Sequence, residues 1–208
     1  MESQVRGSSP SSRDWVWYGG RPSIDFVNTL RDRFRGGRDL LLAPDDLTAW
    51  FTAARQQAAA PTGEPSAERL AVDDELLAQA VRLREAVDAG VRAVVAGTPF
   101  PEEAAEVINS WLARAAEHPL RLAVHDGRPT LQHTHRPADA TTALVRIAVD
   151  AAEILGGEDR RRLKICTGNG CSARYYDKSP GGRRRWCSMS GCGNRAKAAQ
   201  HRQRTAAE

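Results

Sequence analysis

Apolar residues recur at helical spacing in five stretches of the chain and alternate with polar residues in two more. Ile24, Phe26, Val27 and Leu30 suit a short helix. Pro44-Asp45-Asp46, with proline and acids at the favourable helix end, opens a second whose buried stripe is Leu47, Trp50, Phe51 and Ala54. The longest runs from about Asp73 to Ala96, with Leu76, Leu77, Ala80, Leu83, Val87, Val91 and Val94 on one face and Gly97 as its stop. Pro101-Glu102-Glu103 starts a fourth, carrying Ala104, Ile108, Trp111, Leu112 and Ala115. A fifth, from Thr141 to Leu155, is the most apolar. Between the last two, residues 120–124 and 130–134 alternate around Asp126-Gly127, the pattern of a β-hairpin. Residues 31–38 read as a charged loop, 58–65 as a linker and 1–14 as a disordered tail. The expected fold is mainly α (α+β), a helical body over residues 15–156 with one small hairpin.

Beyond a linker at 157–163 the apolar period disappears and the four cysteines take over. Cys166 and Cys171 have four residues between them, as do Cys187 and Cys192, and fifteen residues separate the pairs. Two close pairs flanking a short segment can aim four thiolates at one tetrahedral metal ion. Two disulfides are the alternative. No apolar run in residues 1–10 marks a secretory signal, so a reducing cytoplasmic setting and a structural zinc ion are expected. Four thiolates close the coordination shell and leave no open position for chemistry. Around them the sequence reads as a glycine-rich turn (167–170), a strand (174–177), a turn (179–182), a returning strand (183–186) and a helix from Gly193 to Ala207. That order describes a treble-clef-like finger over residues 164–208, folded largely by its metal.

Composition is that of an ordinary globular chain, 41% hydrophobic and 27% charged, with no stretch apolar enough to span a membrane. The net charge of +4 hides a division. Residues 158–208 carry thirteen Lys or Arg against four acids, while the rest carries seventeen against twenty-two. A positive module on a negative body is the footprint of a polyanion binder.

Arg183-Arg184-Arg185-Trp186-Cys187-Ser188-Met189 followed by Cys192-Gly193-Asn194-Arg195-Ala196-Lys197 resembles the CGNR-type zinc finger, whose name is the tetrapeptide at 192–195. Tyr175 stands where that pattern has phenylalanine. Residues 19–29, Gly-Gly-Arg-Pro-Ser-Ile-Asp-Phe-Val-Asn-Thr, resemble the opening motif of the ABATE domain that accompanies this finger. The resemblance implies a stress-induced transcription regulator that binds double-stranded DNA.

Two elements offer DNA contacts. Arg183, Arg184 and Arg185 suit phosphates, with Arg184 facing away from the other two if the segment is a strand. The final helix carries Asn194, Lys197, His201 and Arg204 at three- and four-residue spacing, flanked by Arg195, Gln200 and Arg202, residue types that also read base edges. The competing reading is a solvated helix face. Asp25 and Asn28 are either ligand contacts or a polar pair bonding nearby backbone. The body could hold a small-molecule effector. RNA binding and zinc-dependent protein interaction are the alternative functions. No nucleophile motif, phosphate loop or acid–base pair points to an enzyme. His125, His133 and His135 form no metal-ligand pattern with a carboxylate or cysteine.

Overall fold

The computed structural model describes residues 15–58, 70–117, 120–133 and 139–205. The expected tail, most of the 58–65 linker and His135 lie outside them. The order is α1 (Pro22–Val27), β1 (Leu30–Arg31), β2 (Arg38–Asp39), α2 (Pro44–Ala58), α3 (Asp74–Ala96), α4 (Glu102–Ala113), β3 (Leu120–His125), β4 (Arg128–His133), α5 (Ala140–Gly156), β5 (Leu163–Ile165), β6 (Arg174–Tyr176) and α6 (Asn194–Thr205). One-turn 3-10 helices occupy Arg114–Glu117 and Glu158–Arg162, and a π-helical turn spans Met189–Gly193. The strands pair only as antiparallel couples, β1 with β2, β3 with β4 and β5 with β6. The protein is mainly α with small β elements, as its periodicity predicts.

Helix α3 is the hub. The Asp73 carboxylate caps it by accepting the Leu76 amide at 2.7 Å, and Gly97 ends it at φ 68°, a conformation glycine adopts without strain. Its face of Ala80, Leu83, Val87 and Val91 is fully buried and meets α1, α4 and α5. Trp50 of α2 joins this core against Phe26, Phe51 and Trp17, with ring centroids 5.1 to 5.9 Å apart. Helix α5 is capped by Asp139 and receives α1 through Asp150, whose carboxylate takes the Ser23 amide at 2.9 Å and meets Arg21 at 2.8 Å.

Three expectations need correcting. The first helix is shorter than the apolar spacing suggests, ending at Val27, because the Thr29 carbonyl and Leu30 turn away to pair with Leu40 and Asp39. The charged loop at 31–38 is a tight β1–β2 ladder, turned by Asp32, Gly36 and Gly37 at positive φ. In the finger, β6 pairs with β5, ahead of the first cysteine, and residues 183–186 form no strand. The stretch 157–163 holds a 3-10 turn and Leu163, which is buried in the body's core.

The same helix that anchors the core also holds the finger. Two residues on its buried face, Arg84 and Asp88, are charged and nearly inaccessible, at 1% and 2% exposure. Arg84 grips Asp39 through two hydrogen bonds of 2.6 and 2.7 Å; burial would raise the Asp39 carboxyl, but these bonds hold it below its ordinary value. Asp88 forms an ion pair with the Arg174 guanidinium of β6, Nε to Oδ1 at 2.6 Å, and accepts a hydrogen bond from Nη2 at 3.3 Å. Arg33 and Arg92 also face Asp88, at 3.4 and 3.1 Å. Burial lowers the Arg174 pKa and Asp88 opposes that shift.

The outer edge of β6 is closed by the body as well. Asn28 donates its side-chain amide to the Arg174 carbonyl and accepts the Arg174 amide, both at 2.9 Å, while Tyr176 donates its amide to the Gly19 carbonyl at 2.7 Å. Replacing Asp88 by Ala leaves a buried guanidinium without its counterion, which should cost about 3–5 kcal/mol. Urea unfolding followed together with zinc release should show both moving to lower urea; unchanged midpoints would contradict the assignment.

Candidate metal centre

Strand β5 delivers Cys166 and β6 begins just after Cys171. Between them residues 167–170 form a turn closed by the Cys171 amide donating to the Gly168 carbonyl at 2.9 Å, with Gly170 at φ 72°. The second pair is set by the turn before α6. Ser188 accepts the Gly191 amide on its hydroxyl at 2.8 Å and the Gly193 amide on its carbonyl at 3.0 Å, curling the chain so that Cys187 and Cys192 face inward. The four Sγ atoms then lie within 4.8 Å of one another. Cys171 and Cys187 are 3.9 Å apart, and Cys187 and Cys192 3.8 Å. Zn–S bonds of about 2.3 Å in a tetrahedron imply S···S edges of about 3.8 Å, whereas a disulfide requires about 2.05 Å. The donor set, its spacing and its burial fit one structural Zn2+.

The surroundings are those of a multiply charged thiolate site. Cys166 Sγ receives the amides of Gly168 and Cys187, each at 3.4 Å, and Arg195 extends a guanidinium NH to Cys192 Sγ at 2.9 Å. Such outer contacts offset the net negative charge of zinc with four thiolates. Without a cation the sulfurs oppose one another's ionisation. Hydrogen bonding from Cys187 lowers Cys171 to about 5. The hydrogen bond to Cys171 then pushes Cys187 far upward, and burial raises Cys192 to about 11. A metal ion relieves that conflict.

Several roles were not visible in the sequence. Gly168, more than Gly193, permits close approach: a Cβ there would sit 3.0 Å from Cys192 Sγ, whereas one at Gly193 would strike the Met189 sulfur at 2.8 Å. Tyr175 is fully buried in the finger, and its hydroxyl donates to the Arg184 carbonyl at 2.7 Å, so tyrosine fits this position with its polar atom satisfied. Tyr176 packs on the body's core. Asp177, also fully buried, accepts Ser179 N and Oγ and Arg184 N at 2.7–3.0 Å. These bonds outweigh burial and keep its carboxylate ionised more readily than usual. A bonded pattern of Asp, Ser and Arg within eight residues was the available signal.

The expected contact residues separate into two groups. Arg183 and Arg185 are exposed, as are Asn194, Arg195, Lys197, Gln200, His201, Arg202 and Arg204 along α6, which buries none of its residues. Arg184 is turned inward: its Nη2 donates to the Cys187 and Trp186 carbonyls and its guanidinium stacks over Tyr175 at 5.2 Å. Asn194 opens the helix and its amide reaches only the Ser190 carbonyl at 3.4 Å, while Ser188 provides the capping bonds. Asn28 binds the finger's backbone, and the Asp25 carboxylate accepts the Gly19 amide at 2.8 Å. A shallow, narrow groove open to solvent runs beside Asn28 between Tyr18 and Arg31 on the body and Cys171 on the finger.

The family model for ABATE, described as "Putative stress-induced transcription regulator", matches residues 20–158. The chain belongs to the ABATE family. A second model, the CGNR zinc finger, matches residues 162–205 and thus takes in all four cysteines. No curated protein matches the chain. Both families are of regulator and zinc-finger type, not enzyme type. No helix among the described residues is long and apolar enough to cross a membrane. The opening motif of the ABATE region acts physically as a seat for the CGNR finger, through the bonds made by Gly19, Asp25 and Asn28.

Two outcomes follow from this geometry. Cys187→Ser should abolish stoichiometric zinc binding, measured by metal analysis after gel filtration, and should also lower the thermal midpoint of the ABATE body, since β5 and β6 are built into it. Asp25 is pushed up to about 7, chiefly by burial, against the pull of the Gly19 amide and Lys178. A carboxyl raised in the folded state binds extra protons there, so stability should fall as pH rises from about 4 to about 7 and stay lower above that. Asp25→Asn keeps an acceptor for Gly19. It should flatten that fall and raise stability at pH 8 by roughly 1–3 kcal/mol, read from unfolding curves across pH.

Proposed function

We propose that the protein is a DNA-binding regulator of transcription in which the zinc-stapled finger contacts duplex DNA and the ABATE body holds the finger in its working orientation. The observation carrying this reading is the charge and exposure of the last segment. From Arg160 to Ala207 the sequence contains thirteen Lys or Arg and a single acid, Asp177, which is buried and internally bonded. Helix α6 carries no apolar residue larger than alanine and none of its residues is buried. A helix with no apolar face gains little by packing on its own protein, and its twelve residues are long enough to lie in a major groove.

Residues divide by chemistry. Arg183 and Arg185 supply phosphate contacts, which set affinity and register without reading sequence. Lys197, His201, Arg202 and Arg204, with Asn194 at the helix entry, present the side chains that meet a groove. Arg195 divides its donors between Cys192 and solvent, and Arg184 serves the finger's interior. The ligand set is Cys166, Cys171, Cys187 and Cys192 around one structural Zn2+, within a finger of residues 164–208 that follows an ABATE body of 15–156. A small-molecule effector would act through the cleft beside Asn28, where it would touch body and finger together.

Selection of bound fragments from genomic DNA at near-physiological salt, run beside the Cys187→Ser protein, tests the reading. Recovery of a common site by the zinc-loaded protein alone is the expected result. Arg183→Ala with Arg185→Ala should weaken all duplexes alike and reduce the salt slope by about two. Retention of RNA or an acidic protein in place of duplex DNA would replace this reading with one of the alternatives.

A further inference from the structure

The body itself carries a cationic loop against the finger. Three consecutive residues of the β1–β2 turn each engage a different part of the zinc module. The Arg33 amide donates to Ser172 Oγ at 3.0 Å. The Phe34 ring lies 5.8 Å beneath the Arg174 guanidinium, leaving 63% of Phe34 exposed. The Arg35 guanidinium lies over Gly170, so close that a Cβ on that glycine would be 2.7 Å from its Cζ. Glycine is favoured at 170 by its φ of 72°, and the absence of a Cβ leaves room for the arginine above it.

Arg35 is exposed, and it stands at one end of the turn formed by residues 167–170. At the other end, the Thr167 amide and hydroxyl both donate to the Arg185 carbonyl, at 3.1 and 3.0 Å, which seats exposed Arg185 there. Thr167 and Asn169 are exposed between them. One short turn thus presents an arginine from the body and an arginine from the finger. No acid occurs between Arg160 and Tyr176 to neutralise that surface. Asp32 supplies the loop's single exposed carboxylate, at the base of the β1–β2 turn.

We infer that Arg35 is a DNA-phosphate contact supplied by the ABATE body, so that the duplex is gripped by a composite surface and not by the finger alone. The inference rests on the reading of the finger as a duplex-DNA contact. The Arg33 bond and the Phe34 ring contact hold the loop in place before DNA arrives, which limits the ordering cost to the Arg35 side chain. The contact adds affinity and salt dependence but no sequence preference.

The test uses the full-length, zinc-loaded protein and a mixed-sequence duplex of about 30 base pairs, with affinity measured across salt concentration. Arg35→Gln should reduce the slope of log K against log salt by about one, corresponding to about eightfold weaker binding at 0.1 M salt relative to the change at 1 M. Arg35→Lys should restore most of the slope. Arg128→Gln, an equal charge change at the tip of the β3–β4 hairpin, is the control and should leave the slope unchanged. Zinc content and thermal midpoint, read on each variant, should match the parent because Arg35 is exposed. An Arg35→Gln slope equal to that of Arg128→Gln, while the Arg183/Arg185 variant still weakens binding, overturns this inference and leaves the finger's role standing. Absence of salt-dependent duplex binding by the parent protein overturns both.

Discussion

The buried contact between Asp88 and Arg174 is the constraint on which the two halves of the molecule depend. One charge comes from the central helix of the ABATE body and the other from a strand lying between the two cysteine pairs. Each side chain is 2–3% exposed, so neither charge has water to fall back on. A pair of this kind adds little net stability over an apolar contact of the same shape, but it penalises every arrangement in which its partners are apart. Its effect is positional. It specifies where the finger sits, and the Asn28 and Gly19 bonds to β6 fix the strand's direction and register.

The zinc centre is organised around a second electrostatic conflict. Four sulfurs held within 4.8 Å of one another cannot all ionise without a cation, and with one they retain excess negative charge. The chain answers with Arg195 and two backbone amides at the sulfurs. Because β5 begins at Leu163 in the body's core and leads directly to Cys166 in the metal shell, a single three-residue strand transmits order between the two environments. Metal shell and core are therefore joined without an intervening free segment, and order at one constrains the other.

Much of this was legible in the sequence. The helices α2 to α5 follow from apolar spacing and from end signals such as Asp73 and Gly97, because one-sided burial writes a 3.6-residue period into the chain. The metal site followed from the cysteine spacing, since tetrahedral ligation restricts which spacings work. What could not be read were interactions between residues far apart in sequence. Asn28 and Arg174 are separated by 146 positions, and neither carries a local sign of the other. The partner of β6 is a case of the same kind. Arg183–Trp186 is the nearer candidate, but Asp177 and Thr167 hold that segment by side-chain and end contacts, and the strand's hydrogen bonds go to Leu163–Ile165. Arg84 and Asp88 interrupt the apolar face of α3, which marks them as unusual without naming what they meet.

The side-chain amide of Asn28 imitates a neighbouring strand, offering one donor and one acceptor to a single residue of β6. With Gly19 beside it, it occupies the edge that a two-stranded ladder would otherwise leave bare. An open edge of this kind is a template on which a second molecule can add its own strand. By filling it from within, the ABATE motif closes that edge of β6 to strand addition and makes the finger's own ladder continuous with the body.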